Sequence, residues 1–272
     1  LMMTNPNTLG IFEKNIMEIA DLLHANGSLL YMDGANMNAF MGIVKPGDIG
    51  ADVIHLNLHK TFSTPHGGGG PGSGPIGVNK DLVQFLPVPL INETEDGYVV
   101  NYFNEIGIGR IKNYYGNFLV MVKALAYLLS LGRENIRRVA EDAVLNANYI
   151  REKLKDHLDL PFQSKTLHEV VFSDKGLPVT TLDIAKRLLD YGIHPFTIYF
   201  PLIVHGAMMI EPTETESKET IDQFLAVMKK ILEEAEKDPE FLKGAPYHTP
   251  VRRLDEVLAA RKPVLKWEKE ES

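Results

Sequence analysis

Apolar side chains recur at helical spacing near the start of the chain, at Phe12, Ile16, Ile19 and Leu23, and Asn26-Gly27 follows as a stop. This pattern predicts a helix over 8–26. Ser28–Met32 is a short apolar run that ends in Asp33-Gly34, and Val53–Leu58 is a second that ends in His59-Lys60. Both read as buried strands with polar residues at their C-terminal ends, and Ile76–Val78 reads as a third. Strand, helix and strand in alternation predict a mostly parallel α/β sheet. Sheets of this kind receive ligands beyond their C-terminal strand ends, which is where Asp33 and Lys60 fall. One βαβ step separates the two residues, so they are expected side by side on adjacent strands.

Residues 80–115 have no clear period and read as irregular. Helices are expected at about 116–131 and 133–156, the second with Ile136, Val139, Ala143, Ala147, Ile150 and Leu154 in one apolar stripe. A change of pattern near 155–160 places the domain boundary there, giving a large domain over 1–157 and a small α+β domain with a tail over 158–272. In the small domain Glu169–Phe172, Thr197–Phe200 and Ala207–Ile210 are strand-like. Thr180-x-x-Asp183 resembles a capping box ahead of a helix over 181–191 that Gly192 ends. Thr215–Lys237 reads as a long amphipathic helix with Ile221, Phe224, Leu225, Met228 and Leu232 inward and Pro239 as its terminator.

The composition narrows the function classes. The 272 residues carry 28 basic and 36 acidic side chains, a net charge of −8, which disfavours nucleic acid as a partner. The absence of cysteine excludes disulfides, thiolate metal sites and a cysteine nucleophile, and no metal ligand set is expected. No apolar run reaches the roughly 18 residues of a membrane span, and no signal-peptide pattern opens the chain, so a cytoplasmic location is expected. The first residue is Leu1, and the chain runs straight into Met-Met-Thr-Asn-Pro-Asn-Thr. That start predicts a longer protein with a front portion ahead of this segment.

Asp33 taken alone reads as a turn or cap aspartate in Asp-Gly. A carboxylate at the end of an apolar strand nevertheless costs several kcal/mol to bury without compensation, so a ligand-facing role is the functional alternative. Facing a pyridinium nitrogen, such a carboxylate keeps that nitrogen protonated. Lys60 lies 27 residues later and leads into a loop in which seven of the eleven positions 67–77 are glycine. A backbone so flexible costs folding entropy and suits a close approach to a ligand or a change of shape. The loop lacks the Gly-Lys-Ser/Thr ending of a nucleotide-binding P-loop.

Tyr31-Met-Asp-Gly-Ala-Asn-Met-Asn38, Leu56-Asn-Leu-His-Lys-Thr-Phe62 and Pro65-His-Gly-Gly-Gly-Gly-Pro-Gly72 together resemble the glycine decarboxylase P-protein, the pyridoxal-phosphate (PLP) component of the glycine cleavage system. Tyr114-Tyr-Gly-Asn117 and Ile210-Glu-Pro-Thr-Glu-Thr-Glu-Ser-Lys218 are similar as well. The likeness is greatest to the C-terminal part of the second subunit of the two-subunit form. It implies a fold-type-I PLP-dependent transferase-like chain, a partial large domain followed by the small domain. It implies that Lys60 carries PLP as a Schiff base, that Asp33 pairs with the pyridine nitrogen, that Ala35 packs against the ring and that His59 and Thr61 flank the cofactor. The implied reaction is glycine decarboxylation with transfer of the aminomethyl group to the lipoyl arm of the H-protein. The implied assembly is a heterotetramer with the other P-protein subunit. The part of the large domain that supplies the ring-stacking side chain and much of the phosphate cup precedes this segment.

Other fold-type-I enzymes, such as an aminotransferase, a desulfurase or an amino-acid decarboxylase, would keep Asp33 and Lys60 with a different substrate. A fragment with an incomplete cofactor site is the non-enzymatic alternative. His24, His157 and His168 read as surface or ordinary polar contacts, and His55, between apolar neighbours, as a core histidine. His66 borders the glycine loop and reads either way. Glu211–Glu219 reads as an acidic helix start. Arg110 and Lys112 are candidate anion partners.

Overall fold

The computed structural model describes residues 1–111, 116–267 and 269. The chain divides into two compact units. The first comprises Leu1–Glu152, Gln163–Val170 and Glu211–Lys218, and the second comprises Lys153–Phe162, Val171–Ile210 and Glu219–Ser272.

The first unit opens with β1 (Met2–Thr4), α1 (Ile16–Ala25), β2 (Tyr31–Asp33), β3 (Val53–His55) and β4 (Ile76–Val78). The four strands form one sheet in the order β1-β2-β3-β4. β1 pairs parallel with β2, and β2 pairs parallel with β3, with Asp33 opposite His55. β1 has too few residues for a periodic signal, and the hydropathy pattern missed it. α1 is shorter than the predicted 8–26 because the preceding turns are held by side chains. Asn7 Oδ1 accepts the Leu9 and Ile11 amides, and Asn5 Oδ1 accepts that of Glu13. Such local bonds compete with helix formation. Phe12 still packs with Ile16, Ala20 and Leu30 in a small core, and Met32, Ala39 and Phe40 form a neighbouring one.

One sequence expectation is corrected here. The crossover from β2 to β3 contains turns and a short 3₁₀ segment (Pro46–Ile49), with no α-helix. The sheet is mostly parallel, as expected, but β4 runs antiparallel to β3. A parallel return needs a long crossover, usually helical, and the glycine-rich segment between β3 and β4 cannot supply one. The chain instead doubles back: Leu56 N–H bonds the Pro75 carbonyl at 3.0 Å and Leu58 N–H the Ser73 carbonyl at 3.1 Å. Residues 59–72 are thus the tip of a hairpin that extends β3 and β4, and they carry both Lys60 and the glycines.

Residues 80–115, read as irregular, contain a further hairpin of β5 (Leu90–Thr94) and β6 (Gly97–Asn101), paired antiparallel. Most side chains of both strands are exposed, so no apolar alternation marked them. α2 (Phe118–Leu154) consists of two helices broken at Gly132, whose φ of 68° and ψ of 164° are not helical. Val120 and Ala124 from the first helix pack against Leu58.

The second unit holds a three-stranded sheet in which β9 (Ala207–Ile210) lies between β7 (Val170–Ser173) and β8 (Thr197–Ile198). α3 (Thr181–Asp190) has the predicted capping box, with the Thr180 side chain on the Asp183 amide and the Asp183 carboxylate on the Thr180 amide. α4 (Lys218–Lys237) is amphipathic and buries Ile221, Leu225, Met228, Ile231 and Leu232. Pro239 occupies the first turn of a short α5 (Pro239–Lys243), and α6 (Glu256–Arg261) is exposed. Arg187 on α3 ties the unit together. Its Nε and Nη2 grip both oxygens of Glu234 at 2.8 and 3.1 Å, and its Nη1 reaches Asp190 at 3.0 Å. Burial alone would raise both carboxyls, but the His248 amide, Arg187 and the Tyr247 amide hold Asp190, and Arg187 and the Tyr191 hydroxyl hold Glu234, below their ordinary values.

Candidate active site

β2 delivers Asp33 to the sheet's C-terminal edge with its side chain 29% exposed. Its Oδ1 accepts the Ala35 amide at 3.0 Å and lies 3.3 Å from His55 Nε2. The other ring nitrogen of His55, Nδ1, is 2.9 Å from the Tyr31 hydroxyl. His55, read from the sequence as a core histidine, is a half-buried bridge that fixes the Asp33 carboxylate. Ala35 is half-buried, and its carbonyl accepts the Asn57 amide, which ties the end of β2 to the extension of β3.

Lys60 is exposed and sits in a turn in which its N–H bonds the Asn57 carbonyl at 3.1 Å. The turn is anchored on both sides. Leu58 is buried against α2, and the buried Thr61 accepts the Met37 amide on Oγ1 at 2.8 Å. His59 stands edge-on to His66, with ring centroids 4.8 Å apart. Burial, then the charges of His66 and Lys60, hold His59 below the ordinary histidine range. His66 Nδ1 accepts the Gly69 amide, so the glycine loop folds over this pair. The structure therefore brings Asp33 and Lys60 to the ends of paired strands, with Thr61 linking the two segments. Among the described residues, no hydrogen bond or ion pair joins Asp33 to Lys60 directly.

A second group lies in the same unit, and the sequence reading missed it. His168 and Glu169, just ahead of β7, are only 4% and 5% exposed. His168 Nε2 is 3.8 Å from Glu169 Oε1 and 3.9 Å from Glu211 Oε1. Glu211 Oε1 in turn accepts the side-chain amides of Asn36 at 2.6 Å and Asn38 at 2.8 Å. These asparagines follow Asp33 by three and five residues. Burial, followed by the neighbouring Glu211, pushes the Glu169 carboxyl up to about 8, against the Gly10 amide and the Lys60 charge. Burial holds His168 below its ordinary value; Glu211 opposes this, and Lys60 adds to it. With a neutral imidazole and a protonated Glu169, the 3.8 Å approach is a contact between neutral groups. His168, read as a surface or ordinary polar contact, is buried, and Glu211 lies beside it ahead of α4 (Lys218–Lys237) instead of opening that helix. The available signal was charge placed directly against apolar strands: His-Glu before Val170-Val-Phe172, and Glu211 after Ala207–Ile210.

Residues 139–243 match the family described as glycine dehydrogenase, C-terminal domain. The chain is 60% identical over 272 residues to the probable glycine dehydrogenase (decarboxylating) subunit 2 of Caldanaerobacter subterraneus subsp. tengcongensis, covering 99% of this chain and 56% of that protein. It is 58% identical over 271 residues to the protein of the same name from Kosmotoga olearia, covering 98% and 56%. The chain is thus similar to glycine dehydrogenase subunits over nearly its whole length. It spans about half the length of these relatives. Among solved structures it is similar to the glycine decarboxylase P-protein of the glycine cleavage system in inhibitor-bound form, with TM-score 0.71, 25% identity and coverage of 84% of this chain and 54% of that one. The apo cysteine desulfurase of Thermococcus onnurineus, at 18% identity and TM-score 0.63 over 85% of this chain and 59% of that one, shares the fold alone. The architecture is that of a fold-type-I PLP enzyme.

The segments that carried the resemblance meet in one unit. The Asp33 segment, the Lys60 hairpin and Glu211 are joined by Thr61, Asn36 and Asn38. Asn117 donates its side-chain amide to the Gly72 carbonyl, fastening the glycine loop. Its motif neighbours Tyr114 and Tyr115, and the candidate Lys112, lie outside the described residues. The Arg110 guanidinium stands over the Tyr102 ring, 5.8 Å from its centroid.

Proposed function

We propose that this chain carries the PLP-binding portion of a glycine decarboxylase of the glycine cleavage system. The observation that supports it best is the pair Asp33 and Lys60, delivered to the ends of paired parallel strands in a fold-type-I sheet. The residues fit the cofactor. Asp33 is a partly exposed carboxylate oriented by Ala35 N–H and His55, suited to holding a proton on a pyridine nitrogen. Lys60 is an exposed amine on a turn fixed by Leu58 and Thr61, suited to holding the cofactor covalently through Nζ. Ala35, His59 and Thr61 complete the set that would surround it.

When bound, PLP supplies an electron sink for the charge left as carbon dioxide departs from glycine. The protein's part is orientation and proton control. His55 and Ala35 keep Asp33 aimed, and Thr61 keeps Lys60 in register with the strand end. On this reading the remaining aminomethyl group passes to the oxidised lipoyl arm of the H-protein. The other P-protein subunit completes a heterotetramer, and the location is cytoplasmic.

The test is the visible spectrum of the chain with added PLP beside that of Lys60→Ala. A new band that borohydride traps on Lys60, and that the variant lacks, is the expected result. A band of equal strength in the variant removes Lys60 from its role.

A further inference from the structure

The two faces of the sheet differ at the end of β2. Met32 and Ile54 pack with Ala39 and Phe40, so Tyr31 and Asp33 on β2 and His55 on β3 share the opposite face. His55 stands opposite Asp33 in the register, and its ring leans back along β2 toward Tyr31. It thus spans two residues of the neighbouring strand. Nε2 is 3.3 Å from Asp33 Oδ1, and Nδ1 is 2.9 Å from the Tyr31 hydroxyl. These contacts fix where the hydrogens lie. Asp33 Oδ1 accepts the Ala35 amide, so it turns lone pairs outward. A bare Nε2 at 3.3 Å would set another lone pair against it; Nε2 therefore carries the hydrogen. A neutral imidazole has one N–H, which leaves Nδ1 as an acceptor. Among the described residues the Tyr31 hydroxyl is the hydrogen-bond partner of Nδ1.

Resting on the reading of Asp33 as the partner of the pyridine nitrogen, we propose that Tyr31 is a positioning residue of the cofactor site. Its hydroxyl donates to His55 Nδ1 and holds the neutral tautomer that has its hydrogen on Nε2. In that tautomer His55 orients Asp33 without placing a positive charge beside it. The carboxylate is then left to serve the pyridine nitrogen, whose proton makes the cofactor ring an electron sink. Tyr31→Phe keeps the aromatic ring and removes the donor. Without that donor nothing fixes the tautomer. The imidazole takes a second proton and competes with the pyridine nitrogen for Asp33, or its hydrogen moves to Nδ1 and a lone pair faces Asp33. Both changes weaken the hold of Asp33 on a proton at the pyridine nitrogen. Tyr31 acts only through His55, from two strand positions before Asp33.

The test begins on the full chain without cofactor, labelled with nitrogen-15 histidine. At pH 8, long-range proton–nitrogen correlation reads both ring nitrogens of His55, assigned by the signals lost in H55Q. A pyrrole-like Nε2 and a pyridine-like Nδ1 are expected in the wild type. Y31F is expected to lose that pattern, its Nδ1 signal moving toward the pyrrole-like position. Labelled PLP is then added, and its nitrogen signal reads the pyridine proton, expected in the wild type and diminished in Y31F. Should Y31F fail to fold, the wild type decides alone. A hydrogen on its Nδ1, in the other tautomer or in an imidazolium, overturns the proposal. So do His55 signals, or a pyridine nitrogen signal, that are the same in wild type and Y31F. Borohydride trapping on Lys60 checks the cofactor reading separately. If neither protein traps PLP, that reading falls, and the His55 pattern still decides the Tyr31 assignment.

Discussion

Replacing Glu169 with glutamine should make the protein more stable, and the gain should depend on pH. The carboxyl titrates at about 8 in the folded chain, against a reference value of 4.5. Between those values the unfolded chain has released its proton while the folded chain keeps it. Stability therefore falls as pH rises, by about 1.4 kcal/mol per pH unit for one group. Across the whole window the loss approaches about 5 kcal/mol; it is complete above pH 8 and absent below about 4.5. Glutamine has no acidic proton to lose. Urea unfolding of wild type and E169Q at pH 5, 6, 7 and 8 measures the difference. The variants should be nearly equal at pH 5, and E169Q should lead by several kcal/mol at pH 8. A constant difference across the series would mean that Glu169 is ionised in the folded protein, and the account of the buried group would fall with it.

Two predictions concern the second unit. Arg187→Ala strands Glu234 and Asp190 without their cation. It should cost about 3–5 kcal/mol, read by denaturant midpoint, and the loss should shrink as pH drops and these carboxyls protonate. A cost under 1 kcal/mol would show that the fork is only a surface pairing. Thr180→Ala removes half of the capping box of α3 and should cost about 1 kcal/mol, with Thr180→Ser near wild type in thermal denaturation. Equal losses in the two variants would refute the capping role.

The sequence made legible what depends on runs and punctuation. β4, β9 and α3 with its cap lie where hydropathy and turn residues placed them, and Gly132 breaks the long helix where the pattern paused. What escaped depended on pairing partners distant in sequence. The antiparallel sense of β4 is fixed by backbone bonds from Leu56 and Leu58 to Pro75 and Ser73, and no periodicity reports them. The β5–β6 hairpin exposes both faces, so the alternation that marks a half-buried strand was absent. At the site, Asp33 and Lys60 stood out because polar residues ended apolar strands. Glu211 follows its strand in the same way, whereas Glu169 precedes one; the two are 42 residues apart, and only the fold reveals that they share a histidine.

The doubling back of the chain at Lys60 also bears on how this region can vary. Residues 59–72 form a loop closed at its base by the Leu58–Ser73 bond and pinned by Leu58 in the core. The entropy of closing a loop grows only slowly with its length, about 0.6 kcal/mol for each doubling. Residues added or removed near Gly67–Gly70 therefore leave the sheet register intact and shift the covering loop alone. The lysine is held near the fixed end of the same loop, two residues from its pin. The position of the amine and the shape of the glycine loop are thus separable within one short segment: the loop can be remodelled while the amine stays in place.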